Sequence, residues 1–247
     1  ESNKNLVRNI EIERDGEVLS ILNDGNGIDI AIHPKDKIYI PEMIFMHLRT
    51  STNYDDEEKK LVGGKNGFGI KLVFIFAKWG IIETVDHVRK LKYIQKVENN
   101  LTKIHKPVIT KYTGKPYTKV TWFPDYQLFG LDGMTDSIWD HLQKRAFDIA
   151  AVTSKTMKVK LQNEVLTIKS FEQYVDMYIG EKEELKRCYQ STERWDIVVT
   201  LSPLDEFTQV SFVNGINTGK GGKHVDYISN QICKKMIEYI KKKKKIT

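Results

Sequence analysis

The chain has 247 residues, 40% of them hydrophobic and 29% charged, with 16 glycines that follow no period. Such a composition supports a buried core and excludes a disordered or collagen-like polymer. The net charge of +6 is concentrated at one end, because from Gly221 to Thr247 eight lysines face only Asp226 and Glu238, leaving residues 1–220 neutral. A cationic end on a neutral body suits a polyanion such as nucleic acid, whose counterions lysines displace; a solvated tail has the same composition. No run of eighteen apolar residues is present, so no membrane-spanning helix is expected. Glu1 to Ile10 lack the apolar stretch of a signal peptide. Cys188 and Cys233 allow at most one bridge and no metal cluster, which points to a reducing compartment.

In chain order, the alternating runs from Leu6 to Ile12 and from Val18 to Leu22 flank Asp15-Gly16 and predict a β-hairpin. The second run stops at Asn23-Asp24-Gly25-Asn26-Gly27, a glycine-broken turn. Residues 40–48 have helical spacing behind Pro41. Arg49 to Lys60 is polar enough to be a mobile loop, and its acids Asp55 to Glu58 read as solvated. Gly63 to Gly69 leads into an apolar run ending at Lys78, long enough for a buried helix. Residues 79–124 read as antiparallel strands. Ile138, Leu142, Ala146 and Ile149 form a helical stripe behind a Thr135-Asp136 cap. A strand through Met157, Val159 and Leu161 follows, then an amphipathic helix through Phe171, Tyr174, Val175 and Tyr178. Gly180 to Arg194 reads as a linker or long loop. Strands at 195–201 and 210–213 precede a closing helix from Val225 to about Ile240. The expected class is α+β, with one domain over residues 1–170 and a partial second β-α unit over 171–247.

The glycine clusters carry the chemistry. A Gly-rich loop opening a helix lets backbone N–H groups approach phosphate. The P-loop pattern fails here, since Gly69 is followed by Ile70-Lys71-Leu72. The dinucleotide fingerprint fails on spacing, and the protein-kinase set lacks its downstream partners. What remains is G-x-x-G-x-G-x-K from Gly64 to Lys71, about forty residues after the Asn23 turn. The first turn suits Asn23 to a base edge, and the second suits phosphates, with Lys65 or Lys71 neutralising them. Two ordinary turns are the alternative reading.

Three blocks, Asn23-Asp24-Gly25-Asn26-Gly27-Ile28, Thr50-Ser51-Thr52-Asn53-Tyr54-Asp55-Asp56 and Gly63-Gly64-Lys65-Asn66-Gly67-Phe68-Gly69-Ile70-Lys71-Leu72, resemble in order the nucleotide-site motifs of type IIA DNA topoisomerases of the eukaryotic and viral branch. Phe171 to Tyr178, Val210 to Asn217 and Gly219 to Tyr227 resemble later segments of the same family. The resemblance implies a Bergerat-type ATP site on a GHKL α/β sandwich, followed by the start of a transducer domain. It implies that Asn23 holds adenine beside Gly25 and Gly27, and that Ser51, Thr52 and Asn53 contact the nucleotide. Gly64, Lys65, Asn66, Gly67, Phe68, Gly69, Ile70 and Lys71 would enclose the phosphates beneath a lid.

The resemblance further implies Mg²⁺ with the ATP, double-stranded DNA at Lys241, Lys242, Lys243, Lys244 and Lys245, a homodimeric parent enzyme, and a nuclear or, for a viral source, host-compartment location. His224 sits in the glycine block, where a role in the transducer near the nucleotide and a merely structural one are both open. The family's helix bearing a catalytic Glu and a magnesium-holding Asn is not expected here: Glu1 and Asn5 have the spacing, but strand alternation starts by Leu6. Its Gln-Thr-Lys loop is not found either. The chain therefore reads as the interior of an ATPase region, with no catalytic residue or metal ligand of its own and little turnover in isolation. The alternatives are another GHKL ATPase of mismatch-repair or chaperone type, and a hydrolytically inactive nucleotide- or DNA-binding module.

Overall fold

The computed structural model describes residues 7–48, 67–168, 170–180, 185–202 and 205–244. The mobile loop expected over 49–60 lies outside them. The described residues divide into two compact units, one running to Tyr174 and the other from Val175 onward.

The first unit opens with the expected hairpin, β1 (Asn9–Asp15) and β2 (Val18–Asp24), joined through Gly16 at φ 58. Helix α1 (Ile40–Met46) has Pro41 in its first turn, where a missing N–H costs nothing. Helix α2 (Gly69–Ile75) is shorter than the apolar run suggests, because Ala77 and Lys78 already belong to β3 (Ala77–Asp86). Strands β4 (Leu91–Glu98), β5 (Lys103–Ile104), β6 (Val108–Lys111) and β7 (Tyr117–Pro124) complete the antiparallel region. Next comes α3 (Asp136–Val152), where Thr135 Oγ1 accepts the N–H of Ile138 at 3.3 Å as an N-cap. Strands β8 (Lys158–Leu161) and β9 (Glu164–Val165) end the sheet.

These nine strands form one sheet in the order β5-β4-β3-β7-β2-β1-β8-β9, with β6 also on β4. Only the β1–β8 pair is parallel among the described pairings, and α3 carries the chain from β7 to β8. One face is covered: Ile82, Tyr93, Val97 and Val120 pack with Phe45, Met46 and Phe74, and farther along Ile12, Val159 and Leu161 pack with Ala146 and Ala150. Each large apolar side chain fully buried there contributes on the order of 1.5–3 kcal/mol. The opposite face carries ion pairs, Lys160 to Glu11 at 2.6 Å and Lys92 to Glu83 at 3.1 Å. That division explains the clean alternation of the strands, as in other antiparallel sheets with one solvated face.

Helix α4 (Phe171–Ile179) carries the boundary between the units, and the buried Tyr174 donates its hydroxyl to Asp148 at 2.6 Å. In the second unit β10 (Arg187–Ser191) pairs with β11 (Asp196–Thr200), and β12 (Phe212–Val213) pairs with β13 (Ile216–Asn217). The stretch read as a linker thus contains a strand. Its Lys- and Glu-rich flanks mask the short run Cys188-Tyr189-Gln190, and Arg187 anchors it by pairing with Asp176 at 2.5 Å. Helix α5 (Lys223–Lys244) is longer than expected at both ends, and none of its described residues is buried. Cys188 and Cys233 are free and exposed.

On β3, Gly80 faces Phe74, and a Cβ there would lie 2.4 Å from the ring. Gly80→Ala should therefore lower stability by about 1–3 kcal/mol through overpacking. Phe74→Leu in the same chain should make the two losses less than additive in a denaturant double-mutant cycle. Strict additivity would show that the methyl and the ring do not meet.

Candidate nucleotide site

Asn23 stands on β2 itself rather than on the turn after it. It pairs with Thr118 of β7, which pairs in turn with Thr84 of β3, so three polar residues form a row on the helix-covered face. The Asn23 amide donates to the Asp24 carbonyl at 2.8 Å. Thr84 is fully buried; its Oγ1 accepts the N–H of Ile28 at 3.0 Å and lies 2.9 Å from Thr118 Oγ1. Thr84 and Thr118 were not singled out from the sequence. They lie 61 and 95 residues beyond Asn23, and only sheet pairing brings them to it.

Asp24 serves the fold. Its carboxylate accepts the backbone N–H groups of Arg8 at 2.6 Å and Asn9 at 2.8 Å, and the Asn9 side-chain amide. Burial raises its pKa, but these donors together outweigh burial and hold the carboxyl below its usual range. The turn then needs its glycines. Gly25 has φ 132 and Gly27 φ 70, and a Cβ on Gly27 would fall 1.8 Å from the carbonyl oxygen of Val85. The turn thus lies in backbone contact with the end of β3.

Of the second glycine cluster, Ser51, Thr52, Asn53, Gly64, Lys65 and Asn66 lie outside the described residues. Gly67 has φ 64, in the left-handed region. Phe68 precedes α2, Gly69 opens it, and Ile70 packs against the core. Lys71 is only 3% exposed, and burial pushes its ammonium below the usual lysine range. α2 packs on the same sheet face as the row from Asn23 to Thr84. An apolar floor and a row of hydroxyl and amide groups thus share one face, and the buried Lys71 belongs to a helix packed on it. Among the described residues no three His, Cys, Asp or Glu side chains are placed to hold a metal ion.

In the second unit, Lys241, Lys242, Lys243 and Lys244 form the last described turn of α5, and Lys245 lies outside it. His224 is engaged within that unit, with Nε2 3.0 Å from Thr218 Oγ1 and 3.1 Å from Ser211 Oγ.

A family model described as DNA gyrase B matches residues 170–247. The chain is 42% identical over 248 residues to the probable DNA topoisomerase 2 of Dictyostelium discoideum, covering 99% of this chain and 16% of that protein. It is 41% identical to the DNA topoisomerase 2 of Saccharomyces cerevisiae, covering 96% of this chain and 18% of that protein. The chain therefore spans less than a fifth of these relatives. The solved ATPase region of Saccharomyces cerevisiae topoisomerase II superposes with a TM-score of 0.90 at 42% identity, covering 96% of this chain and 63% of that one. The ATPase and transducer domains of DNA topoisomerase II from Balamuthia mandrillaris give 0.90 at 37% identity, covering 96% and 61%. The mixed α+β fold is that of these ATPase regions.

Gly27→Ala should destabilise the first unit by at least about 1–3 kcal/mol, since it strains φ and drives a methyl into the Val85 carbonyl. A thermal melt should fall by several degrees or more. An unchanged midpoint would mean that the turn does not contact β3.

Proposed function

Because the chain belongs to the type II DNA topoisomerase family and carries part of its ATPase region, we propose that it binds ATP and contributes the nucleotide-driven clamp of a DNA topoisomerase. In this reading residues 1–170 are part of a GHKL nucleotide domain and residues 171–247 part of the transducer. The observation that carries the proposal is the row of Asn23, Thr118 and Thr84 on the helix-covered face, running into the glycine turn of Gly25 and Gly27.

An Asn amide both donates and accepts, so Asn23 matches the paired donor and acceptor of an adenine edge. Gly25 and Gly27 let the backbone pass close beneath the ligand, and Gly67, Phe68, Gly69 and Ile70 shape the approach to the phosphates. Lys71 supplies the charge. Burial holds its pKa below the usual lysine range, and a phosphate beside it would favour the charged form. Ser51, Thr52, Asn53, Gly64, Lys65 and Asn66 complete the nucleotide set by family resemblance. Mg²⁺ accompanies the phosphate oxygens. The candidate residues include no general base, so the role they support is nucleotide binding.

In the parent enzyme, ATP favours closure of a homodimer around duplex DNA to the extent that it binds the closed state better than the open one, and hydrolysis resets the clamp. Lys241, Lys242, Lys243, Lys244 and Lys245 contact DNA phosphates without reading sequence, since lysine is a point charge. The site of action is the nucleus.

Calorimetric titration with a non-hydrolysable ATP analogue tests the nucleotide reading. Binding should weaken on Gly67→Ala, because alanine does not readily adopt its φ of 64. Phosphate favours the charged form of Lys71, whose free-state pKa is depressed. Affinity should therefore fall as pH rises through that depressed pKa, below the usual lysine range, with proton uptake on binding in that window. Binding indifferent to both changes would refute the assignment.

The DNA reading is tested separately. Replacing Lys241, Lys242 and Lys243 by Ala should weaken duplex binding alike for all sequences. It should flatten the slope of log affinity against log salt by up to roughly 2–3 units. An unaltered slope would return these lysines to the role of a solvated helix end.

A further inference from the structure

The segment after Gly27 joins no sheet among the described strands, yet its backbone is held at alternate residues by the end of β3. The Asn26 carbonyl accepts the N–H of His87 at 3.1 Å, Ile28 N–H reaches Thr84 Oγ1 at 3.0 Å, and Ile30 N–H reaches Asp86 Oδ2 at 3.0 Å. Asp86 is 3% exposed. Its other oxygen accepts Val88 N–H at 2.8 Å and Arg89 N–H at 3.0 Å, so one buried carboxylate binds both the segment and the β3–β4 connection. Arg89 closes the arrangement, with Nε 2.8 Å from Asp29 Oδ1 and 3.5 Å from Asp86 Oδ2. Burial raises the Asp86 pKa, but the N–H donors of Ile30, Arg89 and Val88 together outweigh burial and keep it ionised.

We infer that Asp86 is a positioning residue for nucleotide binding: it holds residues 26–30 against β3 and so fixes Gly27 and Asn23 in their ligand-receiving form. The inference rests on the nucleotide reading above. Its physical basis is one-sided freedom. The Val85 carbonyl already blocks any movement of Gly27 toward β3, so the turn can only retreat. The bonds at Asn26, Ile28 and Ile30 oppose that retreat, and the Asp86 bond is the only one of the three made by a carboxylate. Hydrogen bonds to charged groups are the stronger kind. An Asn at this position would offer a single acceptor oxygen, able to serve Ile30 or the Val88–Arg89 pair, while its amide N–H₂ would face donors.

The test compares the wild-type chain with Asp86→Asn and Asp86→Ala by amide hydrogen exchange and by calorimetric titration with adenosine, ADP and an ATP analogue at low temperature. Ile28 and Ile30 amides should exchange about tenfold faster or more in the variants, with Tyr93 and Val97 unchanged. All three ligands should lose affinity by the same factor, about tenfold, because the defect lies on the base side and the phosphate contribution is kept. Asp86→Asn keeps the side-chain volume and reports if Asp86→Ala does not fold. A variant with a lower melting temperature but full affinity, or unchanged exchange at Ile28 and Ile30, would overturn the inference and leave the nucleotide reading standing. A wild-type chain that binds none of the three ligands would overturn the nucleotide reading and the inference with it.

Discussion

The contact between Gly27 and the Val85 carbonyl constrains the whole first unit. A turn cannot approach a strand end this closely with a side chain in the way, so the position must be glycine, and its φ of 70 demands the same. Once the turn is seated, β2 enters it at a fixed register. That register places Asn23 beside Thr118 and Thr118 beside Thr84. A slip of one residue would turn Asn23 to the solvated face and Leu22 toward the helices. The chemistry of the site is therefore inseparable from the pairing of β2, β7 and β3.

The same one-sidedness governs the core. Helices α1, α2 and α3 all pack on one face, so the apolar residues of the strands they cover gather there, with the row of Asn23, Thr118 and Thr84 as its polar interruption. Gly80 shows how close that packing is, since its missing side chain makes room for Phe74. The exposed face is stabilised little by its ion pairs, which are solvent-screened and worth a few tenths to about 1 kcal/mol each.

Much of this was legible in the sequence because it is local. Alternation over Ile10 and Ile12, the Asp15-Gly16 turn, the Thr135 cap and the Ala146 stripe each announce their element within a few residues. What stayed hidden is non-local. The parallel pairing of β1 with β8 joins residues about 150 positions apart, and no periodicity encodes it. Thr84, Thr118 and Asp86 look like ordinary strand residues until pairing places them at the turn. The strand at Arg187 was hidden for another reason: its charged neighbours resemble a linker, while its stability comes from β11 and from Asp176. The candidate site was thus half readable: its glycines and Asn23 stand out in the sequence, whereas Thr84 and Thr118 join them only through sheet pairing.

Lysine is used here in two opposite ways, and the difference is one of solvent. Lys71 has lost most of its water, so its charge is expensive and responds strongly to an anion that arrives beside it. The described lysines at the end of α5, Lys241 to Lys244, keep their water and cost the fold almost nothing. An exposed cluster gives attraction to any polyanion, falling with salt. The two units carry similar net charge, so what separates the lysines is where water is excluded, more than how many charges each unit holds.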